Sequence, residues 1–311
     1  MIATLTLNPC IDKTIQINNF VYGGTNRAME TRVDPAGKGI NVAMAYKNLG
    51  GDVYCSGFNY DEGGLNITEL LDKSGIRYDF VSVKGKLRTN LKIFDISRRT
   101  VTEINESGNP VTEEDVSVLL KKVAALEKNV STFALCGSVP VGVPDSIYSQ
   151  IIRTMGNLSV RCVLDAEGEL LRRGSLAQPY LIKPNLHELE SVLGMKLQSL
   201  SEIVKAARKF IDMGVSIVAV SLGEDGALLI GETQALSSPV VNIEVKGTAG
   251  AGDSMIAGFC LAIERRLAPD DMLRYGMAAA AASCMNEGTI LCKRDDFEIL
   301  LNRVEIKKVN E

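Results

Sequence analysis

The chain has 311 residues, 46% hydrophobic and 23% charged, with a formal net charge of −4. That balance describes an ordinary globular protein able to bury a sizeable core, and it argues against nucleic acid as the main partner, leaving small molecules. Seven cysteines without a Cys-x-x-Cys pair, most of them inside apolar runs, are expected as buried, reduced thiols, and a single histidine, His187, gives almost no material for a zinc site or a histidine triad.

The opening Ile2–Leu7 run lacks a basic flank and is too short for a signal peptide, and no apolar run reaches membrane-spanning length. A cytoplasmic location with no membrane partner is therefore expected.

In chain order, Ile2–Leu7 reads as a short strand that stops at Asn8-Pro9, because proline cannot donate to a ladder. Asp12 follows in what reads as a polar turn. It either caps that turn or presents a carboxylate to a ligand, since open α/β sheets bind ligands beyond the carboxyl ends of their strands. Residues 13–35 and 88–105 alternate with period two around turns and lie outside any helical rhythm, so they are predicted to pair as a small sheet, a lid. The cations Arg27, Arg88 and Lys92 in these patches fit either a solvated strand face or contacts to a phosphorylated substrate.

Between the two patches, Asp34–Ala43 leads through glycines into a helix that continues to Leu49, with Gly37, Lys38 and Asn41 at its start. It is not a Walker A loop: Gly39 follows Lys38 where Ser or Thr is required, and Arg32 stands at the place of the first glycine.

Strands are predicted over 53–58, 132–136, 160–164, 180–182 and 217–220, alternating with helices over 65–73, 112–128, 145–155 and 200–213. That rhythm implies a mainly parallel sheet covered on both faces. Thr112 with Asp115 and Ser199 with Glu202 have capping-box spacing. Gly137-Ser138-Val139-Pro140 forms a further loop on the carboxyl edge of the sheet. Asn185 and Glu188 read either as another cap or as a carboxylate site holding magnesium through water. Ser221, Gly223 and Gly226 surround a turn that is either a plain hairpin or a place where a nucleotide approaches the backbone. Pro269 opens a helix whose run Ala278–Ala282 suits tight packing, and the charged tail from Val304 is expected to fray.

The stretch Gly247–Gly258 reads G-T-A-G-A-G-D-S-M-I-A-G and passes from glycines through Asp253 into an apolar helical pattern. The first N–H groups of a helix and its dipole make an anion seat. Asp253 at the lip either compensates the dipole or takes a hydroxyl proton in phosphoryl transfer. At a helix N-terminus its pKa is expected to be lowered. Met255 stands where a dinucleotide fingerprint has its third glycine, which removes an NAD-linked dehydrogenase.

Six segments in this order resemble the ribokinase/PfkB sugar-kinase family, most closely the phosphosugar branch that holds 1-phosphofructokinase and tagatose-6-phosphate kinase. They are Thr6–Asp12, Ala36–Ala43, Gly137–Pro140, Lys183-Pro184-Asn185 with Glu188, Ser221–Gly223 and Gly250–Ser254. The resemblance covers nearly the whole chain. It implies one ribokinase-like three-layer αβα domain over 1–311 with a β-sheet lid, dependence on ATP and magnesium, and a homodimer formed through the lids.

Position by position it implies Asp253 as base, with the backbone of Gly250, Ala251 and Gly252 as anion hole. Asp12, Gly37, Lys38 and Asn41 match sugar-binding positions, and Arg27, Arg88, Lys92 and Ser138 the phosphate side. Lys183, Ser221, Gly223 and Gly226 match the ATP side, and Asn185 with Glu188 the magnesium pattern. Ala36 and Gly247 depart from the usual family residues without removing a reacting side chain. The expected reaction is phosphorylation of a ketohexose phosphate, fructose 1-phosphate first, with tagatose 6-phosphate or fructose 6-phosphate as alternatives. A sugar-phosphate sensor without turnover is the reading from another class.

Overall fold

The computed structural model describes residues 1–126, 130–288 and 290–309. The chain begins with β1 (Ile2–Thr6), β2 (Cys10–Ile17) and β3 (Glu30–Ala36), followed by α1 (Lys38–Asn48). Next come β4 (Val53–Glu62), α2 (Leu65–Lys73), β5 (Arg77–Lys86), β6 (Arg88–Asp95), β7 (Thr100–Asn105) and α3 (Glu113–Ala124). A regular alternation follows: β8 (Thr132–Cys136), α4 (Ile147–Asn157), β9 (Arg161–Asp165), α5 (Gly168–Ser175), β10 (Leu181–Ile182), α6 (Leu186–Leu193), α7 (Leu200–Asp212) and β11 (Ile217–Ser221). The rest is β12 (Ala227–Ile230), β13 (Ala235–Ser238), α8 (Ala251–Glu264), α9 (Pro269–Cys284), α10 (Arg294–Leu301) and β14 (Lys307–Lys308).

Among the described residues, ten strands form one sheet in the order β14-β13-β12-β11-β10-β9-β8-β1-β4-β5. From β5 to β11 all neighbours are parallel, and β11 to β14 form an antiparallel margin. β1 and β8 are buried at every residue, as expected of parallel strands covered on both faces. Helices α1, α8, α9 and α10 pack on one another in series, as do α3 to α7, and β9 touches members of both series. The fold is thus α/β with a mainly parallel sheet, as the alternation predicts, and it has the large sheet and separate small sheet that the ribokinase-like resemblance implies.

The capping boxes form as their spacing dictates at Thr112 with Asp115 and at Asn185 with Glu188. Ser199 accepts from the Glu202 N–H, while the Glu202 carboxylate goes to the Gln198 N–H. The helix predicted over 112–128 ends at Ala124, and residues 127–129 lie outside the described set. In α8 the side chains from Asp253 to Ile263 are all buried, and a side chain at Gly258 would run into the carbonyl of Tyr275 on α9. Small residues therefore do bring these helices together.

A second sheet has the order β3-β2-β6-β7, with β2 parallel to β6 and the other pairs antiparallel. The chain does not turn at Asp12. It resumes an extended course directly after Pro9, and Asp12 sits inside β2, because β3 and β6 offer ladders on both sides that the local sequence does not show. Strand β5, helix α10 and the edge strands β13 and β14 are further elements that local pattern did not reveal. The tail does not fray over its described part: Val304 is buried, and Lys307–Lys308 pair with Leu236–Ser237. Among the described residues no helix is long and apolar enough to cross a membrane.

Candidate active site

The carboxyl ends of β1, β8, β9, β10 and β11 open into a cleft of about 500 Å³ whose other wall is the small sheet. Of the residues singled out from sequence, Asp12, Gly37, Lys38, Asn41, Arg88, Lys92, Ser138, Lys183, Asn185, Glu188, Ser221, Gly250, Gly252 and Asp253 line it. Four do not. Arg27 is exposed in the β2–β3 loop, Gly223 and Gly226 form the turn beyond Ser221, and Ala251 lies behind its glycine neighbours.

The floor is a cluster of four charges. Asp165, at the end of β9, is buried, and its two oxygens each face an ammonium at 3.3 Å: Lys38 from the start of α1 and Lys183 from the end of β10. Burial opposes ionisation of Asp165, but the two lysines outweigh it and hold the carboxyl below its usual range. Lys38 is pushed up in turn, first by Asp165, against a desolvation cost, with Asp253 and Glu188 adding to the rise. Sequence reasoning missed Asp165. An acid closing an otherwise apolar strand, V-L-D, was the available signal.

Gly250 caps α8 with φ 76°, in the left-handed region that glycine adopts freely, and so turns the chain into the helix with Asp253 in its first turn. The Ala251 N–H bonds to the Thr248 carbonyl at 3.3 Å, so it is engaged within the loop. A side chain at Gly252 would stand 3.8 Å from Lys183 Nζ, so the glycine leaves a cradle between helix terminus and ammonium. Asp253 is only 7% exposed, and its Oδ2 accepts from Asn41 Nδ2 at 2.7 Å.

The expectation of a lowered pKa for Asp253 is overturned. Desolvation pushes it up to about 6, opposed by Lys38, reinforced by Asp165, and opposed again by the Asn41 hydrogen bond and Lys183. Burial outweighs the helix dipole here because the dipole contributes at most about 1 to 2 kcal/mol, whereas burying a carboxyl can move its pKa by several units.

The opposite wall is polar as well. Lys92 Nζ pairs with Asp12 Oδ2 at 2.6 Å, and Asn90 Nδ2 donates to Asp12 Oδ1 at 3.2 Å. Burial opposes the charge on Lys92, but Asp12 prevails and raises its pKa. Arg88 donates to the Asn8 carbonyl from Nε and Nη2 at 3.2 and 2.9 Å, and to the Glu106 carbonyl from Nη1 at 2.8 Å. Asn8 Nδ2 donates to Ser138 Oγ at 3.2 Å. Asn8, Asn90, Glu103 and Asn105 line this wall without having been singled out. The strand alternation that places Arg88 and Lys92 on one face also places Asn90 there.

No cluster of three His, Cys, Asp or Glu side chains is found among the described residues, so a transition-metal cage is not built. Asn185 and Glu188 satisfy each other as a capping box at 2.8 Å both ways, which leaves carboxylate lone pairs of Glu188 facing the cleft. That donor set suits magnesium, which keeps most of its waters and needs one or two carboxylates.

The raised pKa of Asp253 has a stability consequence. Between the unfolded value of 3.8 and about 6 the folded state binds the extra proton, so stability falls as pH rises through that window. Asp253→Asn removes the buried charge, and about 1–3 kcal/mol of added stability is expected at about pH 7, fading towards about pH 4. Urea denaturation at both pH values checks this, and equal stability of the two chains at neutral pH would contradict it.

Comparison with known proteins agrees with this architecture. The chain matches the pfkB family carbohydrate kinase profile over residues 5–296. It is 34% identical over 310 residues to 1-phosphofructokinase of Borreliella burgdorferi, covering 99% of each chain. It is 32% identical over 287 residues to 1-phosphofructokinase of Bacillus subtilis, covering 92% of this chain and 93% of that one. Phosphofructokinase-2 of Escherichia coli in complex with substrates and products superposes with a TM-score of 0.90 at 29% identity, covering 97% of this chain and 98% of that one. The chain belongs to the pfkB family of carbohydrate kinases.

Proposed function

We propose that the cleft transfers the γ-phosphoryl group of ATP to a primary hydroxyl of a ketohexose phosphate, with fructose 1-phosphate as the favoured acceptor. The observation that carries this reading is the placement of Asp253, a buried carboxylate with a raised pKa, in one floor with two lysines and across the cleft from a wall with a cation of its own.

The attacking hydroxyl oxygen forms a bond to phosphorus as the bond to the bridging oxygen breaks and ADP leaves. Asp253 takes the hydroxyl proton, and a pKa of about 6 leaves it ionised at neutral pH yet more basic than an ordinary carboxylate. Asn41 orients that carboxylate. The N–H groups of Gly252 and Asp253 in the first turn of α8, with Lys38 and Lys183, stabilise the charge on the transferring group. Asp165 keeps both ammoniums in place. Ser221, with the Gly223–Gly226 turn, lies on the nucleotide side.

Glu188 and Asn185 would hold magnesium through its waters, and the ion would supply charge neutralisation on the donor phosphates. Asp12, Gly37 and Asn41 would hold ring hydroxyls. Arg88, with Ser138 and Lys92, would meet the phosphate already on the sugar. Both named relatives are 1-phosphofructokinases, which favours fructose 1-phosphate over fructose 6-phosphate and tagatose 6-phosphate.

We also propose a homodimer formed through the small sheets, acting in the cytoplasm. The small sheet and its loop expose Tyr22, Met29, Val33, Val101 and Ile104, from 56% to 96%, and the strand registers put Val33 and Ile104 together on the face turned away from the cleft, an apolar surface a second copy would cover. Arg27 in the same loop would then lie at the interface.

A coupled ADP assay with the three phosphosugars tests the acceptor. The highest kcat/KM is expected with fructose 1-phosphate, and no ADP from any of them would leave only a binding role. Asp253→Asn is expected to lower kcat by about two to four orders of magnitude with ATP affinity nearly unchanged; near-full turnover would remove its role as base. Arg88→Ala should raise KM for the phosphosugar about tenfold or more and leave that for ATP within about twofold. Equal effects on both would count against the phosphate contact. By sedimentation the wild type is expected at twice the 33.6 kDa chain mass, and Val33→Lys with Ile104→Lys, on one face of the small sheet, as a folded monomer. An unchanged dimer would place the interface elsewhere.

A further inference from the structure

Arg88 and Asp12 carry opposite charge on neighbouring strands and yet do not pair. In the parallel register of β2 and β6, Cys10 is level with Arg88 and Asp12 is level with Asn90. Arg88, Asn90 and Lys92 are alternate residues of β6 and all line the cleft. Asn90 occupies the interval between the two charges. Its amide nitrogen donates to Asp12 Oδ1 and to Cys10 Sγ, each at 3.2 Å, and its carbonyl oxygen accepts from Arg88 Nη1 at 3.3 Å.

Among side chains of this size only a carboxamide can donate to a carboxylate at one end and accept from a guanidinium at the other while staying neutral. Leucine could do neither. Aspartate would accept from Arg88 but would set a second carboxylate against Asp12. The charge on Asp12 is met instead by Lys92 at 2.6 Å. Among the described residues every hydrogen bond of the Arg88 guanidinium goes to a neutral oxygen, of Asn8, Glu106 or Asn90. The wall therefore holds one satisfied ion pair and one fixed cation whose charge no carboxylate cancels.

We propose that Asn90 is a positioning residue that insulates Arg88 from Asp12. The guanidinium thereby keeps its charge for the acceptor's phosphate, and the carboxylate keeps a fixed edge for the ring hydroxyls. Without the amide, the two would collapse towards an ion pair and the phosphate would have to break it. The inference rests on the reading of Arg88 and Asp12 given under the proposed function.

The test is a double-mutant cycle in the full chain, with Asn90→Asp, Arg88→Ala and the two combined, reading KM for fructose 1-phosphate, KM for ATP, kcat and thermal midpoint. Asn90→Asp is expected to raise KM for the phosphosugar about tenfold or more, with KM for ATP within about twofold and kcat within about threefold. In the Arg88→Ala background the same change should add much less, because the charge it would cancel is gone. Asn90→Ser, which removes the spacer without adding charge, provides the same readout should the aspartate variant fold poorly, and an elevated acceptor KM is expected there too. Additive effects in the cycle would overturn the proposal, as would parallel losses in kcat, ATP affinity and thermal midpoint. If Arg88→Ala raises the acceptor KM and neither Asn90 variant does, the Asn90 role alone fails. If Arg88→Ala itself leaves the acceptor KM unchanged, the reading of the acceptor site fails and takes the proposal with it.

Discussion

Two carboxylates and two ammoniums share one floor at the carboxyl edge of the large sheet, three of them buried and Lys38 reaching the open cleft, and most of what is distinctive in this chain serves that balance. Asp165 satisfies Lys38 and Lys183 together, so neither lysine is drawn fully onto Asp253. Asp253 is left with an amide hydrogen bond from Asn41 and no direct ion pair among the described residues. Its carboxyl is therefore governed by burial rather than by a partner, and burial is what raises its pKa to about 6. Were Asp165 absent, the lowering of the Asp253 pKa by the two lysines would no longer be opposed by a second carboxylate.

The fold supplies the parts of this balance from distant places. Lys38 and Asn41 come from the glycine-led start of α1, Asp165 and Lys183 from neighbouring parallel strands, and Asp253 from the first turn of α8. Packing of α8 between α1 and α9, which Gly258 and the alanines of α9 make close, removes water from Asp253. The small sheet adds a second wall on which the order of charges differs: one ion pair, Lys92 with Asp12, and one guanidinium held by carbonyls. On the proposed reading the floor handles the phosphate in transit and the wall handles the one that stays.

Local chemistry made much of this legible. The capping boxes at Thr112 and Asn185, the apolar runs of β1 and β8 and the glycine-led helix starts each follow from a few adjacent residues, and each forms as read. What escaped depends on pairing across long separations. Asp165 gains its meaning only when Lys38, 127 residues earlier in the chain, arrives beside it. Asp12 reads as a turn residue until β6 is laid parallel to β2, a pairing that spans 80 residues in the Lys92 contact. The direction of the Asp253 shift was misread for the same reason. The helix terminus is visible in the sequence, whereas the helices that desolvate it are not.

The most direct measurement of the central claim is the pH dependence of kcat/KM for the acceptor, with ATP saturating and buffers matched in ionic strength. A base buried as Asp253 is should give an acid limb with a midpoint near pH 6, falling tenfold per unit below it. A profile that stays flat down to about pH 4, where an ordinary solvent-exposed carboxylate titrates, would contradict the account of Asp253 as a desolvated base.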